Sequence, residues 1–156
     1  FSTAQLKMGS GTSGLIVTEV KKQMKEAKYD AEFDIIDGSP GIGCPVIASL
    51  SGVDMVLIVA EPSLSGISDM KRIIITAEKF GIKTAVCINK FDINIENTEK
   101  IKAFCKKEKI SYMGEIPFDY DAVNAVNKGM TIADIDCAAG KAAKKIYEET
   151  EKLLFE

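Results

Sequence analysis

The chain contains no histidine. That removes the usual Ser-His and Cys-His nucleophilic pairs. Its four cysteines, Cys44, Cys87, Cys105 and Cys137, include no C-x-x-C pair, so no zinc or iron–sulfur ligand set is expected within these residues. No apolar run reaches the roughly 18 residues of a membrane span, and no signal peptide is read at its start. No G-x-x-x-x-G-K-[ST] loop is there to cradle phosphates. With a net charge of −3 and a pI of about 5.2, nothing forms a basic footprint for nucleic acid. The expectation is a cytoplasmic chain with reduced thiols and neither a membrane nor a nucleic-acid partner.

What is present is ordinary for a globular domain: 156 residues, 46% hydrophobic and 28% charged. That length buries roughly two-thirds of the unfolded surface. The first residue, Phe1, is not a methionine, and the expectation is a piece of a longer parent. Apolar stretches at Phe33–Asp37, Asp54–Ala60, Lys83–Asn89 and Ser111–Ile116 predict four buried strands. Helical spacing predicts helices over 15–28, 45–51, 66–80, 96–108, 121–128 and 139–155. Residues 1–8 read as a short strand and Gly9–Gly14 as a flexible loop. Strands alternating with helices predict an α/β fold: a doubly wound, mostly parallel sheet with helices on both faces. Ligands of such sheets bind beyond the carboxyl ends of the strands.

Each informative motif sits at such an end. After Phe33-Asp34-Ile35-Ile36 come Asp37-Gly38-Ser39-Pro40-Gly41. A strand-terminal aspartate before a Gly/Pro turn suits Mg²⁺, and a glycine amide without a side chain can approach a γ-phosphate. A plain turn-capping Asp37 is the bland alternative. Asn89-Lys90-Phe91-Asp92 offers an amide whose paired donor and acceptor read a base edge, with the Lys90 stem along the purine. The same N-K-x-D pattern suits guanine, so a GTP-binding switch using Asn89 and Asp92, or a non-enzymatic interaction module, stays open. Pro117-Phe118-Asp119 ends the fourth strand. Gly9-x-Gly11-x-x-Gly14 with Asp37 on the next strand fits an NAD-type dinucleotide site. Cys44 reads as a small residue of the turn, with a redox or ligand role as the alternative.

Taken together, Ile35 to Leu50, Glu61-Pro62-Ser63-Leu64-Ser65-Gly66, Ile88 to Asn94 and Gly114 to Asp119 resemble the MinD/ParA/Mrp branch of P-loop ATPases, the CobQ/CobB/MinD/ParA nucleotide-binding domain. The nearer resemblance is to the group with an inserted ferredoxin domain, sometimes labelled cobyrinic acid a,c-diamide synthase. The resemblance runs over nearly the whole chain and implies the C-terminal portion of one P-loop ATPase domain. It implies ATP and Mg²⁺ as cofactors of the intact parent. Asp37 would be the switch acid that reaches Mg²⁺ through water, and Gly41, in the turn with Gly38 and Pro40, would sense the γ-phosphate. Asn89 would read the base, flanked by Pro117 and Asp119. An iron–sulfur or redox client and an upstream ferredoxin-like domain are implied as partners. The P-loop strand would lie between the Asp37 strand and the Asp54–Ala60 strand. Without it the chain is expected to be inactive alone and to form a homodimer or swapped oligomer, because unpaired strand edges invite association.

Overall fold

A computed structural model describes residues 2–5, 13–27, 31–41 and 43–156. They divide into two compact units, residues 1–53 and 54–156.

In the larger unit, three strands form one parallel sheet in the order β1-β2-β3: β1 (Met55–Ala60), β2 (Lys83–Asn89) and β3 (Ser111–Ile116). Helix α3 (Leu64–Lys79) joins β1 to β2, and α4 (Ile95–Glu108) joins β2 to β3. Two parallel crossovers of the same hand, advancing in the same direction across the sheet, place both helices on one face. The core agrees. Ile58 and Ala60 of β1 and Val86 and Ile88 of β2 cluster with Met70 and Ile74 of α3 and Ile101 and Cys105 of α4. Side chains alternate along a strand, so Cys87 faces the other way. Its register partner is Gly114, where an added Cβ would lie 3.2 Å from Ile146 of α6 (Ala138–Phe155). Helix α6 therefore covers the opposite face, and the expected helices on both faces are present. On that face Val59 of β1 remains 57% exposed.

Local chemistry explains the boundaries. Ser63 accepts the Gly66 N–H at 2.9 Å to start α3. The helix ends in a Schellman motif: Gly81 (φ 68°) donates to Glu78 O, and Ile82 donates to Ala77 O. Asn94 accepts the Asn97 N–H to start α4. The sequence reading of β2 and β3 matches residue for residue, and the helices differ from it by one or two residues.

The smaller unit holds α1 (Ser13–Glu26) and α2 (Cys44–Leu50). The Lys21 ammonium donates to the carbonyls of Ala48, Ser49 and Ser51 at the C-terminal end of α2. Carbonyls left over at a helix end attract a cation. Ser13 and Gly14 are already helical, not loop; an added Cβ on Gly14 would lie 3.3 Å from the Cys44 Cβ, so the two helices touch there. Gly9 and Gly11 lie outside the described residues, as do residues 6–8 of the expected first strand; residues 2–5 have no regular structure.

One strand expectation is corrected. Phe33–Asp37 forms no strand. Ile35 is 73% exposed. A short run of this kind gains from extended structure only when strands beside it take up its N–H and C=O groups and cover its apolar side chains. No described residues pair with it as a strand.

Candidate functional site

The carboxyl ends of β1, β2 and β3 deliver three loops to one edge of the larger unit: Glu61–Ser63, Asn89–Asn94 and Pro117–Asp119. Side chains tie these loops together. The Lys90 ammonium donates to Glu61 Oε1 at 2.8 Å, joining the first loop to the second. Asp92 Oδ1 accepts the Phe118 N–H at 2.8 Å, joining the second to the third. Behind them, buried Asn97 donates from Nδ2 to Pro62 O at 3.2 Å, and buried Thr98 donates to Phe91 O at 2.7 Å. Helix α4 thus grips both the first and the second loop.

Lys90 has φ 53° and ψ 47°, a left-handed conformation uncommon outside glycine. It turns the chain sharply after β2 into a 3-10 turn, Phe91–Ile93, in which Ile93 N–H reaches Lys90 O at 3.2 Å.

The four site residues expected in this unit play different parts. Asn89 is half-buried and its amide makes no side-chain hydrogen bond among the described residues, so its donor and acceptor remain open. Asp92 already has one oxygen engaged by Phe118. Asp119 caps α5 (Tyr120–Asn127) by accepting from Asp121 and Ala122, and its second oxygen accepts the Ala139 N–H of α6 at 3.1 Å. Those donors, Ala139 foremost, hold its carboxyl below the usual carboxylate range. Asp119 is therefore a clip between the rim and α6. Pro117 precedes an aromatic pair, Phe118 and Tyr120, packed edge to face with centroids 4.9 Å apart.

The remaining expected residues, Asp37, Gly38, Pro40 and Gly41, belong to the smaller unit. Asp37 is exposed. Gly41 has φ 88°, a conformation that favours glycine, and neither Gly38 nor Gly41 has an atom within 4 Å of where a Cβ would stand. An exposed carboxylate beside an uncrowded glycine amide is a donor set suited to Mg²⁺ and a phosphate oxygen. Among the described residues, no group of three or more acidic or cysteine side chains is placed to hold a metal by itself, and no helix is long and apolar enough to cross a membrane.

Residue-type reasoning gave no role to Glu61, Asn97 or Thr98. A signal for the last two was present: polar residues at 97 and 98 fall on the apolar stripe of α4 with Ile101 and Cys105.

No protein-family model matches the chain. It is similar to an uncharacterized protein of Methanocaldococcus jannaschii, 31% identical over 150 residues, which is 96% of this chain and 50% of that protein. An iron-sulfur cluster carrier protein of the same organism is 25% identical over 132 residues, 76% of this chain and 46% of the relative. Among solved structures, the cell division ATPase MinD of Pyrococcus furiosus superposes with a TM-score of 0.69 at 23% identity, covering 88% of this chain and 57% of that one. The chain spans about half the length of the curated relatives it matches. Over the part that it covers, this three-stranded parallel sheet with its helices is the α/β fold of the MinD-like P-loop nucleotide triphosphatases.

Proposed function

We propose that the chain is the C-terminal half of a cytoplasmic ATP-binding and ATP-hydrolysing P-loop protein of the MinD/ParA kind. Asp37 would hold Mg²⁺ through water and Gly41 would meet the γ-phosphate, with Gly38 and Pro40 shaping their turn. Asn89 would read the base between Pro117 and the Asp92–Asp119 side of the rim. Bound Mg²⁺ would neutralise charge on the phosphates. The observation that carries this reading is the rim itself: three cross-tied loops at the carboxyl ends of parallel strands, where nucleotides bind in such sheets, in a fold shared with an ATPase. ATP is favoured over GTP because a guanine would take both oxygens of Asp92 together, and one of them, Oδ1, already accepts the Phe118 N–H. Asp119 supports the site by clipping the rim to α6. We further propose an iron–sulfur client, in line with the carrier protein among the relatives, an upstream ferredoxin-like domain, and a dimer of the intact protein.

These 156 residues carry no P-loop lysine for the β- and γ-phosphates, so they should not turn over ATP by themselves. The test is Mg²⁺-dependent phosphate release, measured on this chain and on a protein joining it to a P-loop half. We expect turnover only in the joined protein, with a loss of at least tenfold on Asp37→Asn. Turnover by the chain alone, or an undiminished Asp37→Asn variant, would sink the reading. Calorimetry of the joined protein with Mg·ATP, Mg·GTP and NAD decides the nucleotide.

A further inference from the structure

Glu61 is a rim residue with several contacts and no assigned task. Its carboxylate takes the Lys90 ammonium at 2.8 Å. Its carbonyl accepts the Ser63 N–H at 2.8 Å. Gly66 presses so close that an added Cβ would stand 2.4 Å from that carbonyl. The next residue, buried Pro62, is held by Asn97. The acid is therefore presented from an immobilised turn.

Its partner is the opposite case. Lys90 sits in a left-handed conformation that costs free energy for any residue with a Cβ. Thr98 on Phe91 O and Asp92 on the Phe118 N–H fix the turn that follows, and two contacts act on Lys90 itself: the Ile93 N–H on its carbonyl and Glu61 on its ammonium. The immediate neighbour of this strained residue is Asn89, whose amide is the open donor–acceptor pair of the rim. Asp92 and Asp119 are both engaged with backbone N–H groups. An open amide of this kind matches the adjacent donor and acceptor of an adenine edge.

We propose that Glu61 is a positioning residue of the base site: by holding the Lys90 ammonium it keeps Lys90 left-handed, and so presents the Asn89 amide to adenine. This rests on the nucleotide reading above. Glu61 touches no substrate itself. The effect of the brace is transmitted through one backbone turn.

The proposal is tested by a double-mutant cycle of Glu61→Gln and Lys90→Gly in the joined protein, with Mg·ATP and Mg·GTP affinities read by calorimetry. Glu61→Gln should weaken Mg·ATP about two- to fivefold, the range expected for losing an exposed ion pair. Glycine reaches positive φ without a brace. In the Lys90→Gly background, Glu61→Gln should therefore change nothing further. Unaltered ATP affinity in Glu61→Gln overturns the proposal, and so does an equal loss in both backgrounds. Should the wild-type joined protein bind neither nucleotide, the proposed function falls, and hydrogen exchange of the Ile93 amide judges the brace separately. Faster exchange in Glu61→Gln supports the brace; unchanged exchange overturns it.

Discussion

Two apolar runs of this chain look alike and end differently. Met55–Ala60 lies in a sheet, with β2 beside it and α3 against it. Phe33–Asp37 is strand-like in composition yet forms no strand. Composition contributes to the difference, since two of the five residues at 33–37 are aspartates while Met55–Ala60 is apolar throughout, but the neighbours decide it. A parallel strand is defined by its neighbours, and each unit supplies its own. In residues 54–156 every strand has another strand to pair with. In residues 1–53 two helices meet through Gly14 and Cys44, and no strand is present among the described residues.

That comparison can be broken by mutation. The largest contrast is between two isoleucines. Ile88 is fully buried in β2, so Ile88→Ala should cost about 2–5 kcal/mol. Ile35 is 73% exposed, and Ile35→Ala should stay within about 0.5 kcal/mol. Denaturant unfolding of both variants checks this; equal losses would show that the Phe33–Asp37 run is buried after all. Next come two glycines. A Cβ at Gly140 would lie 2.2 Å from Ile132 O, whereas one at Gly38 meets nothing within 4 Å. Gly140→Ala should lose about 1–3 kcal/mol by overpacking, and Gly38→Ala should leave the thermal midpoint unchanged. The smallest effect is the acid clip. Asp119 has a lowered pKa in the fold, so its stabilising contribution is complete above the unfolded pKa and is lost as pH falls through the folded one. Asp119→Asn should melt lower than wild type at neutral pH, with the gap closing toward pH 3. A gap that does not change with pH would remove the ionised clip.

The legibility of the sequence divides along the same line. β2 and β3 are readable because short runs carrying Val, Ile, Tyr and Met sit between amphipathic helices, and each finds a neighbour. The end of α3 is readable from Gly81 and the start of α4 from Asn94. Phe33–Asp37 was misread because pairing is non-local and five residues carry no record of what lies beside them. At the rim, Asn89 and Pro117 were visible as strand-end residues. The links that organise them were not: Glu61 with Lys90, and Asp92 with Phe118, join residues more than 25 positions apart. The reach of Asp119 to Ala139 was not legible, because it depends on where α6 starts.

The four cysteines differ in what surrounds them. Cys44 is exposed, while Cys87, Cys105 and Cys137 are buried. Burial pushes the Cys87 thiol up to about 11, and Cys137 Sγ accepts the Gly140 N–H at the head of α6. A thiol-modifying reagent would therefore find one site at once and three only when the surrounding structure opens. Cys137 would report the fraying of α6, Cys105 the release of α4, and Cys87 the parting of the sheet. The chain carries its own clock for local unfolding, with no label to introduce.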